Sequence, residues 1–286
     1  MARCDVCFHH CELNEGQAGF CGGRICKDGA VRAANYGRIT GFALDPIEKK
    51  PLRRFYPGSL ILSVGSYGCN LRCPFCQNHG ISWSEEALEL AGRAEYVSPE
   101  ELVRSALQLK SRGNIGLAFT YNEPLIGYEF VRDTARLSHE AGMKNVLVSN
   151  GAAELPILEE LSPYIDAMNI DLKGFSDRYY REVLGGDMDM VKAFIARAVQ
   201  LCHVELTTLI VPGENDTEEE MRRLSSWIAG LTDEKGGNIG SCVPLHVSRF
   251  FPAFMMRDRA ATEVALVYRL AEAARERLRF VYTGNC

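Results

Sequence analysis

Apolar residues along this chain alternate between two spacings. Short runs rich in β-branched residues are followed by longer stretches with apolar residues at helical spacing, and from residue 60 this unit recurs six times. Such a repeat predicts parallel strands joined by crossover helices. The predicted strands cover residues 60–65, 115–120, 145–149, 167–171, 204–211 and 242–247. The predicted helices cover residues 99–111, 125–141, 155–162, 187–202, 218–230 and 259–278, and residues 279–282 are a candidate for one more short strand.

Two of these helices carry clear start signals. Ser98 stands directly before Pro99 and two glutamates, and Thr217 stands directly before three glutamates. Ser and Thr are favoured at the N-cap, proline at the first helical position and acidic side chains in the first turn. We therefore expect helices to begin at residues 99 and 218.

The repeat favours an α/β fold with a partial (β/α)6 barrel of the TIM type, in which chemistry lies at the carboxyl ends of the strands. A doubly wound sheet is the alternative, but no G-x-G-x-x-G fingerprint follows the first strand. We expect three parts. These are a cysteine-rich segment at 1–28, a small β extension and loop at 29–58, and the barrel at 59–286.

The extension contains two short apolar stretches, 31–36 and 39–44, separated by Gly37 and Arg38. This pattern predicts a small hairpin or strand pair leading into the barrel. Prolines then bracket a charged stretch within residues 45–57, which disfavours regular structure. That stretch is either a solvated loop or a border of the active site.

Composition narrows the class of protein. The chain has 286 residues with 47% hydrophobic content, which is enough for one large core. Its net charge of −5 does not indicate a nucleic-acid-binding surface. The N-terminus lacks the apolar region of a signal peptide, and no run of 18 apolar residues occurs. We expect a soluble, cytoplasmic protein without a membrane partner. In that reducing compartment its 11 cysteines indicate metal ligands rather than disulfides.

Three of the cysteines form a compact group directly after the first predicted barrel strand. Cys69, Cys73 and Cys76 are spaced C-x3-C-x2-C, and no further cysteine follows until Cys202. Three thiolates can hold three irons of a [4Fe–4S] cluster and leave the fourth iron open for chemistry. A zinc site would need four ligands, usually as pairs, so this spacing favours the cluster. Three unrelated buried thiols are the remaining alternative.

A second cysteine group lies within residues 1–28. This segment is too short and too poor in large apolar residues to fold around a core of its own, so a metal is the expected organiser. Zinc and an auxiliary iron–sulfur cluster both fit four thiolates at this spacing, and a cysteine-rich arm without metal is the third alternative. The predicted ligands are Cys4, Cys7, Cys11 and Cys21. The sequence assigns no role to Cys26, Cys202, Cys242 and Cys286.

Polar residues directly follow several predicted strands. In a barrel the carboxyl ends of the strands meet at one face, so these side chains are expected to converge above the cysteine triad. They are Asn122 and Glu123 after the second strand, Ser149 and Asn150 after the third, Asp171 and Lys173 after the fourth, and His246 with Arg249 after the sixth.

Together these stretches resemble the radical S-adenosylmethionine (SAM) superfamily. The narrower resemblance is to the radical SAM enzyme of the AmmeMemoRadiSam system, a relative of the pyruvate formate-lyase activating enzymes. The cysteine triad carries the superfamily signature, and the string Asp-Pro-Ile-Glu-Lys-Lys-Pro-Leu at 45–52 carries the narrower one. The matching stretches are 4–21, 45–52, 68–78, 120–124, 149–151, 171–173, 211–213 and 246–252.

This resemblance implies a role for each matched residue. It implies that the triad holds the cluster, that the Phe75 backbone contacts adenine, and that the Asn122 and Glu123 turn binds the SAM ammonium. It further implies that Ser149 and Asn150 bind ribose and that Lys173 and His246 contact SAM. Two positions depart from the activating enzymes. Val148 replaces an Asp of a cation site, and Thr207 replaces a SAM-binding Arg.

The resemblance implies reductive cleavage of SAM to methionine and a 5′-deoxyadenosyl radical, under anaerobic conditions and with a reductant such as flavodoxin or ferredoxin. That radical would take hydrogen from an unidentified substrate, a small molecule or a protein. A narrower alternative is an activase that acts on a glycine of a glycyl-radical enzyme. A third alternative is a non-enzymatic iron–sulfur or zinc protein, although an electron carrier has no use for an open iron.

Overall fold

The computed structural model describes residues 1–90 and 93–286. The strands of this part are β1 (Ala2–Arg3), β2 (Glu12–Leu13), β3 (Arg24–Lys27), β4 (Ala30–Ala33), β5 (Arg38–Ile39), β6 (Gly41–Pro46), β7 (Leu60–Gly65), β8 (Glu95–Tyr96), β9 (Asn114–Phe119), β10 (Lys144–Ser149), β11 (Ala167–Asp171), β12 (His203–Ile210), β13 (Leu245–Arg249) and β14 (Val281–Gly284). The α-helices are α1 (His79–Ser82), α2 (Glu85–Leu90), α3 (Pro99–Gln108), α4 (Tyr128–Glu140), α5 (Leu155–Leu161), α6 (Met188–Leu201), α7 (Glu218–Ala229) and α8 (Val264–Arg275), and a π-helix spans Tyr179–Leu184.

The main sheet has eight strands in the order β14-β13-β12-β11-β10-β9-β7-β6. Neighbours from β7 to β14 are parallel, and β6 pairs antiparallel with β7 at one edge. Helices α3 to α8 lie between these parallel strands in the chain, which is the crossover arrangement of a partial barrel. The predicted α/β class and parallel sheet are therefore confirmed. The sheet has seven parallel strands instead of the six predicted with their helices. The short strand suggested at residues 279–282 forms at Val281–Gly284 and pairs with β13.

The predicted helix starts at 99 and 218 are confirmed by their caps. The Ser98 hydroxyl accepts from the Glu101 backbone N–H while the Glu101 carboxylate accepts from the Ser98 N–H, which is a complete capping box. The Thr217 hydroxyl caps α7 by accepting from the Glu220 N–H. The prediction for α8 was wrong at its start, because the Thr262 side chain donates to the Ile210 carbonyl and ties the chain to the barrel. The helix begins only at Val264.

The predicted hairpin between 31–36 and 39–44 was wrong. Strand β4 pairs instead with β3, and β6 pairs with β7 of the main sheet. The turn between β3 and β4 is Asp28-Gly29, with φ of 54° and 73°. Positive φ at both central residues defines the tight hairpin turn that Asp-Gly favours, so this dipeptide was the signal that the periodicity argument missed.

The buried apolar side chains of the described residues form two hydrophobic cores. The larger one packs the crossover helices on the outside of the sheet. The smaller one lies inside the barrel, where residues of the 45–57 loop contact the inward side chains of four strands. Its members are Ile47, Leu52, Phe55, Ile61, Ala118, Val146 and Ala167. The loop thus fills the amino-terminal half of the barrel. Within the described ranges, no helix is long and apolar enough to span a membrane.

Candidate active site

A cavity of about 300 Å³ opens at the carboxyl ends of the parallel strands. Its walls combine the loop after β7 with the first residues beyond β9, β10 and β11. The lining residues that the sequence singled out are Cys69, Cys73, Cys76, Phe75, Asn122, Glu123, Ser149, Asn150, Asp171 and Lys173. The fold thus brings all the predicted SAM-site residues except His246 to one cavity.

The cluster loop, residues 66–78, carries the three thiols. Burial raises the pKa of Cys69 well above its ordinary value and that of Cys73 to about 11. Thiols held in this way give up their protons when a metal binds, so the donor set suits an iron–sulfur cluster. Among the described residues, no three His, Cys, Asp or Glu side chains converge on a point for a single metal ion. A [4Fe–4S] cluster needs no such convergence, because each thiolate binds its own iron.

The cluster loop is held from the barrel side by the π-helix. The Arg72 backbone N–H donates to the Leu184 carbonyl at 2.8 Å. The Tyr180 hydroxyl accepts from the Lys173 backbone N–H at 3.0 Å. A π-helix is rare and occurs mostly at functional sites. Here it links the loop to the strand end that carries Lys173.

Glu123 is a buried carboxylate with three donors. Its oxygens accept from the Ser149 hydroxyl at 2.8 Å, the Asn150 backbone N–H at 2.8 Å and the Leu125 backbone N–H at 3.0 Å. Burial raises the pKa of Glu123 to about 7, and these hydrogen bonds oppose the rise. Residues beyond β9 and β10 are therefore locked together, with a carboxylate facing the cavity.

Asn122 has a different task from its neighbour. Its side-chain oxygen accepts from the Ser66 N–H at 3.0 Å, and its amide donates to the carbonyls of Tyr67 and Gly68, both at 3.1 Å. The side chain therefore fixes the start of the cluster loop to the end of β9. Tyr121, just before it, has φ of 75°, a strained conformation for a bulky residue.

Asn70 is a site residue that the sequence argument missed. Its side-chain oxygen accepts from the Asn150 amide at 2.9 Å, and its own amide donates to the Ala152 carbonyl at 2.7 Å. The Asn150 amide also points to the Cys69 sulfur at 3.8 Å. A polar residue between two cysteines of the triad was the available signal. This signal becomes informative only in the fold, where the cluster loop lies against the end of β10.

Lys173 and Asp171 form an ion pair on the cavity wall, with Nζ and Oδ2 2.9 Å apart. Burial lowers the pKa of Lys173, but Asp171 and the nearby Cys73 outweigh this and raise it well above its ordinary value. The ammonium is therefore charged at neutral pH. It is a cation within the cavity that can attract an anionic group.

Residues 45–54 form the floor of the cavity, and we call this segment the barrel floor. Pro51 lines the cavity, and its carbonyl accepts from the Asn169 amide at 2.8 Å. Asp45 accepts from the buried Lys50 ammonium at 2.8 Å and from the Tyr121 hydroxyl at 2.9 Å. The stretch therefore borders the cavity at Pro51, whereas its charged residues Lys49, Arg53 and Arg54 are exposed.

His246 does not line the cavity in the described structure. Its Nε2 lies 2.6 Å from Glu205, a buried carboxylate that also contacts His203 at 3.0 Å. The backbone N–H groups of Arg53 and Arg54 donate to Glu205 as well, at 3.0 and 2.7 Å. Burial raises the pKa of Glu205, but these hydrogen bonds outweigh it and lower the pKa to about 2. His246 thus helps to anchor the barrel floor, and its assignment to SAM stays a prediction.

A parallel α/β barrel that presents a three-cysteine loop to polar strand ends defines a class of cofactor-binding proteins. The chain belongs to the radical SAM superfamily, whose sequence profile matches residues 63–225. It is 38% identical to "Uncharacterized protein MJ0808" of Methanocaldococcus jannaschii, over 99% of this chain and 81% of that protein. It is also 30% identical to the pyruvate formate-lyase-activating enzyme of Clostridium pasteurianum, over 57% of this chain and 67% of that enzyme.

Solved structures share the fold at low sequence identity. Streptococcus suis SuiB bound to S-adenosylmethionine superposes with a TM-score of 0.58 and 14% identity, over 77% of this chain and 48% of that one. QueE from Escherichia coli superposes with a TM-score of 0.50 and 12% identity, over 87% of this chain and 92% of that one. At these identities the likeness supports the barrel architecture alone.

Proposed function

We propose that this protein is a radical SAM enzyme in which Cys69, Cys73 and Cys76 hold a [4Fe–4S] cluster. When bound, cluster and SAM supply a 5′-deoxyadenosyl radical by reductive cleavage, and this radical takes a hydrogen atom from a substrate not yet identified. The observation that carries the proposal is the shared cavity, in which the three thiols face the polar ends of β9, β10 and β11.

The chain's own residues would bind and orient SAM. The Glu123 carboxylate suits an ammonium group, and the Lys173 ammonium suits a carboxylate. Ser149 and Asn150 would contact the ribose and the Phe75 backbone the adenine, and all three residues line the cavity. Asn122 acts at one remove, because its side chain already binds the backbone of the cluster loop.

The experiment is anaerobic turnover with a chemical reductant. Reconstituted wild-type protein should convert SAM to 5′-deoxyadenosine, and Cys73→Ala should form none. Cys202→Ala is the matched control and should retain activity, because Cys202 lies at the end of α6 and does not line the cavity. No product from well-loaded wild-type protein would refute the proposal. In the cell, we propose a cytoplasmic flavodoxin or ferredoxin as the reductant.

A second candidate function is supported by the relative from Clostridium pasteurianum, which is named an activating enzyme. In that case the substrate is a glycine of a partner protein. Mixing the loaded enzyme and SAM with candidate glycyl-radical enzymes should produce a stable organic radical on the partner, detected by electron paramagnetic resonance (EPR). Absence of this radical signal with every glycyl-radical enzyme of the source organism would refute the second candidate function.

A non-enzymatic iron–sulfur or zinc protein is the remaining alternative. It predicts bound metal without any response to SAM. Titration of SAM into the reduced protein, followed by EPR, separates the two. A shift of the cluster spectrum supports the enzyme, and an unchanged spectrum supports the carrier.

A further inference from the structure

A surface loop reaches from β13 to the cluster loop. We call it the strap and define it as residues 250–262, between β13 and α8. Its two ends lie together, because the Thr262 N–H donates to the Phe250 carbonyl at 3.1 Å and the Phe250 N–H donates to the Thr262 hydroxyl at 3.3 Å. The same hydroxyl ties both ends to the barrel by donating to the Ile210 carbonyl at 2.6 Å. A compact loop whose ends meet is an Ω-loop, a class that frequently has a function.

The middle of the strap contacts the cluster loop between two of its cysteines. The Met255 N–H donates to the Pro74 carbonyl at 2.9 Å, and Pro74 stands between the second and third cysteine of the triad. At the base of the strap, the buried Phe250 ring lies edge-on to Phe75, with ring centroids 6.4 Å apart. The strap therefore holds the cluster loop at the segment that carries two of its three thiols.

The Phe254 ring packs on the short helix that follows the cluster loop. It stacks on His79 with ring centroids 4.2 Å apart and 9° between the planes, and it meets Trp83 edge-on at 5.0 Å. His79 is the first residue of α1, and Trp83 directly follows the last. The Ile81 carbonyl of α1 accepts from the Gly68 N–H at 2.8 Å. Helix α1 therefore holds the start of the cluster loop, next to its first cysteine.

Phe254 keeps this position with a strained backbone. Its φ is 49°, in the left-handed region that a bulky residue rarely adopts. Such a conformation persists only where surrounding contacts outweigh its cost, and it is common at functional sites. Here the two rings beside α1 supply those contacts.

The strap acts on the cavity through other residues. All of its residues are described, and none of them lines the cavity, whereas Ser82 of α1 and the three thiols of the cluster loop do. Contacts with both α1 and Pro74 reach the loop near every cysteine of the triad. The strap is therefore placed to fix the geometry of the thiols without touching a bound cofactor.

We propose that Phe254 is a positioning residue. Its ring anchors the strap on α1, and the anchored strap holds the cluster loop in the conformation in which Cys69, Cys73 and Cys76 face the polar strand ends. The effect on SAM chemistry rests on the function proposed above. The effect on the cluster loop requires neither metal nor SAM.

The first test measures thiol accessibility in the metal-free, reduced protein. Phe254→Ala removes the ring, so the cluster loop should open more often, and iodoacetamide should alkylate the half-buried Cys76 roughly three- to tenfold faster than in the wild type at the same pH. Mass spectrometry of the digested protein measures the rate. Phe254→Tyr keeps the aromatic ring and should restore the wild-type rate. Equal rates in Phe254→Ala and the wild type would overturn the proposal.

The matched control is Met255→Ala. The Met255 side chain is 64% exposed, and the substitution keeps the backbone N–H that donates to Pro74. This variant should react at the wild-type rate. Cys202 at the end of α6 reports unfolding of the whole barrel, and its rate should be the same in every variant. Acceleration of Cys76 in Met255→Ala, or an equal acceleration of Cys202 in Phe254→Ala, would overturn the specific role of Phe254.

The second test uses the reconstituted enzyme. Phe254→Ala should change the EPR spectrum of the reduced cluster and raise the KM for SAM, because displaced thiolates alter the cluster and its open iron. Phe254→Tyr should match the wild type in both measurements. An unaltered spectrum in Phe254→Ala would refute the positioning role in the loaded enzyme. If the wild type never responds to SAM, the proposed function fails while the alkylation result still stands.

Discussion

Asn122 and Glu123 are neighbours in the turn after β9, but their side chains contact different parts of the site. Glu123 turns its carboxylate to the cavity, where it accepts from Ser149 and Asn150 at the end of β10 and from the Leu125 N–H of its own turn. Asn122 turns its side chain to the cluster loop and bonds three backbone groups there. An Asn-Glu pair in sequence looks like a simple polar turn. In the fold this pair follows the strained Tyr121, and its two side chains have different partners.

At the residue scale, Glu123→Gln should weaken SAM binding to the cluster-loaded enzyme about 10- to 100-fold. The change removes the charge that suits an ammonium and presents an amide N–H₂ to groups that are already donors. Isothermal titration under anaerobic conditions measures the affinity. Glu219→Gln, at an exposed position of α7, is the control. Equal affinity in the wild type and Glu123→Gln would contradict the assignment of Glu123.

Gly116 of β9 lies against the backbone of β10. This glycine pairs with Lys144 of β10, and an added Cβ would lie 1.8 Å from the Lys144 carbonyl oxygen. No rotamer change can relieve such a contact, since the obstacle is backbone. The glycine is therefore a requirement of the β9–β10 pairing that positions Glu123 against Ser149.

At the element scale, Gly116→Ala should destabilise the protein by at least about 3 kcal/mol, because the strands must separate. The matched control is Gly41→Ala in the edge strand β6, where no atom lies within 4 Å of the added Cβ. That change should alter the free energy of unfolding by less than about 0.5 kcal/mol. Denaturant unfolding of both variants measures the difference. Similar values for the two would show that the β9–β10 spacing is adjustable.

Contacts between distant parts of the chain hold the barrel floor in place. Glu205 of β12 accepts from the backbone of Arg53 and Arg54, about 150 positions earlier, and contacts His203 and His246. Asn169 of β11 similarly holds Pro51. The floor closes the barrel beneath the cavity, so the cavity opens at the carboxyl side of the strands.

At the scale of the whole molecule, Glu205→Gln should lower the free energy of unfolding by about 3 kcal/mol at pH 7. The folded pKa of Glu205 is lowered from 4.5 to about 2, so the ionised carboxylate stabilises the fold fully above pH 4.5. That contribution is lost as the pH falls towards 2. The gap between wild type and variant should therefore narrow below pH 4.5.

Denaturant unfolding of both proteins, prepared without metal and under reducing conditions, measures this gap across the pH range. Glu272→Gln, in an exposed pair with Arg275 on α8, is the control and should follow the wild type. A gap that stayed constant down to pH 3 would mean that Glu205 stabilises the fold by packing alone.

Local signals in the sequence determined most of the fold. Apolar periodicity gave β7 and β11 with their observed bounds, and cap residues gave the starts of α3 and α7. These features depend on residues close in the chain, so a single sequence contains the information. The spacing of Cys69, Cys73 and Cys76 is also a local feature, and it indicated the superfamily from the sequence alone.

Only the tertiary structure decided which contacts cross the chain. It showed that the Asn70 side chain accepts a hydrogen bond from Asn150, that His246 contacts Glu205 instead of lining the cavity, and that the apolar side chains of the 45–57 loop pack inside the barrel. The Asn70–Asn150 and His246–Glu205 contacts each join residues with 40 or more others between them in the chain. The spacing of residues in the sequence does not reveal such contacts. The pairing of distant strands and the packing between them determine which side chains become neighbours.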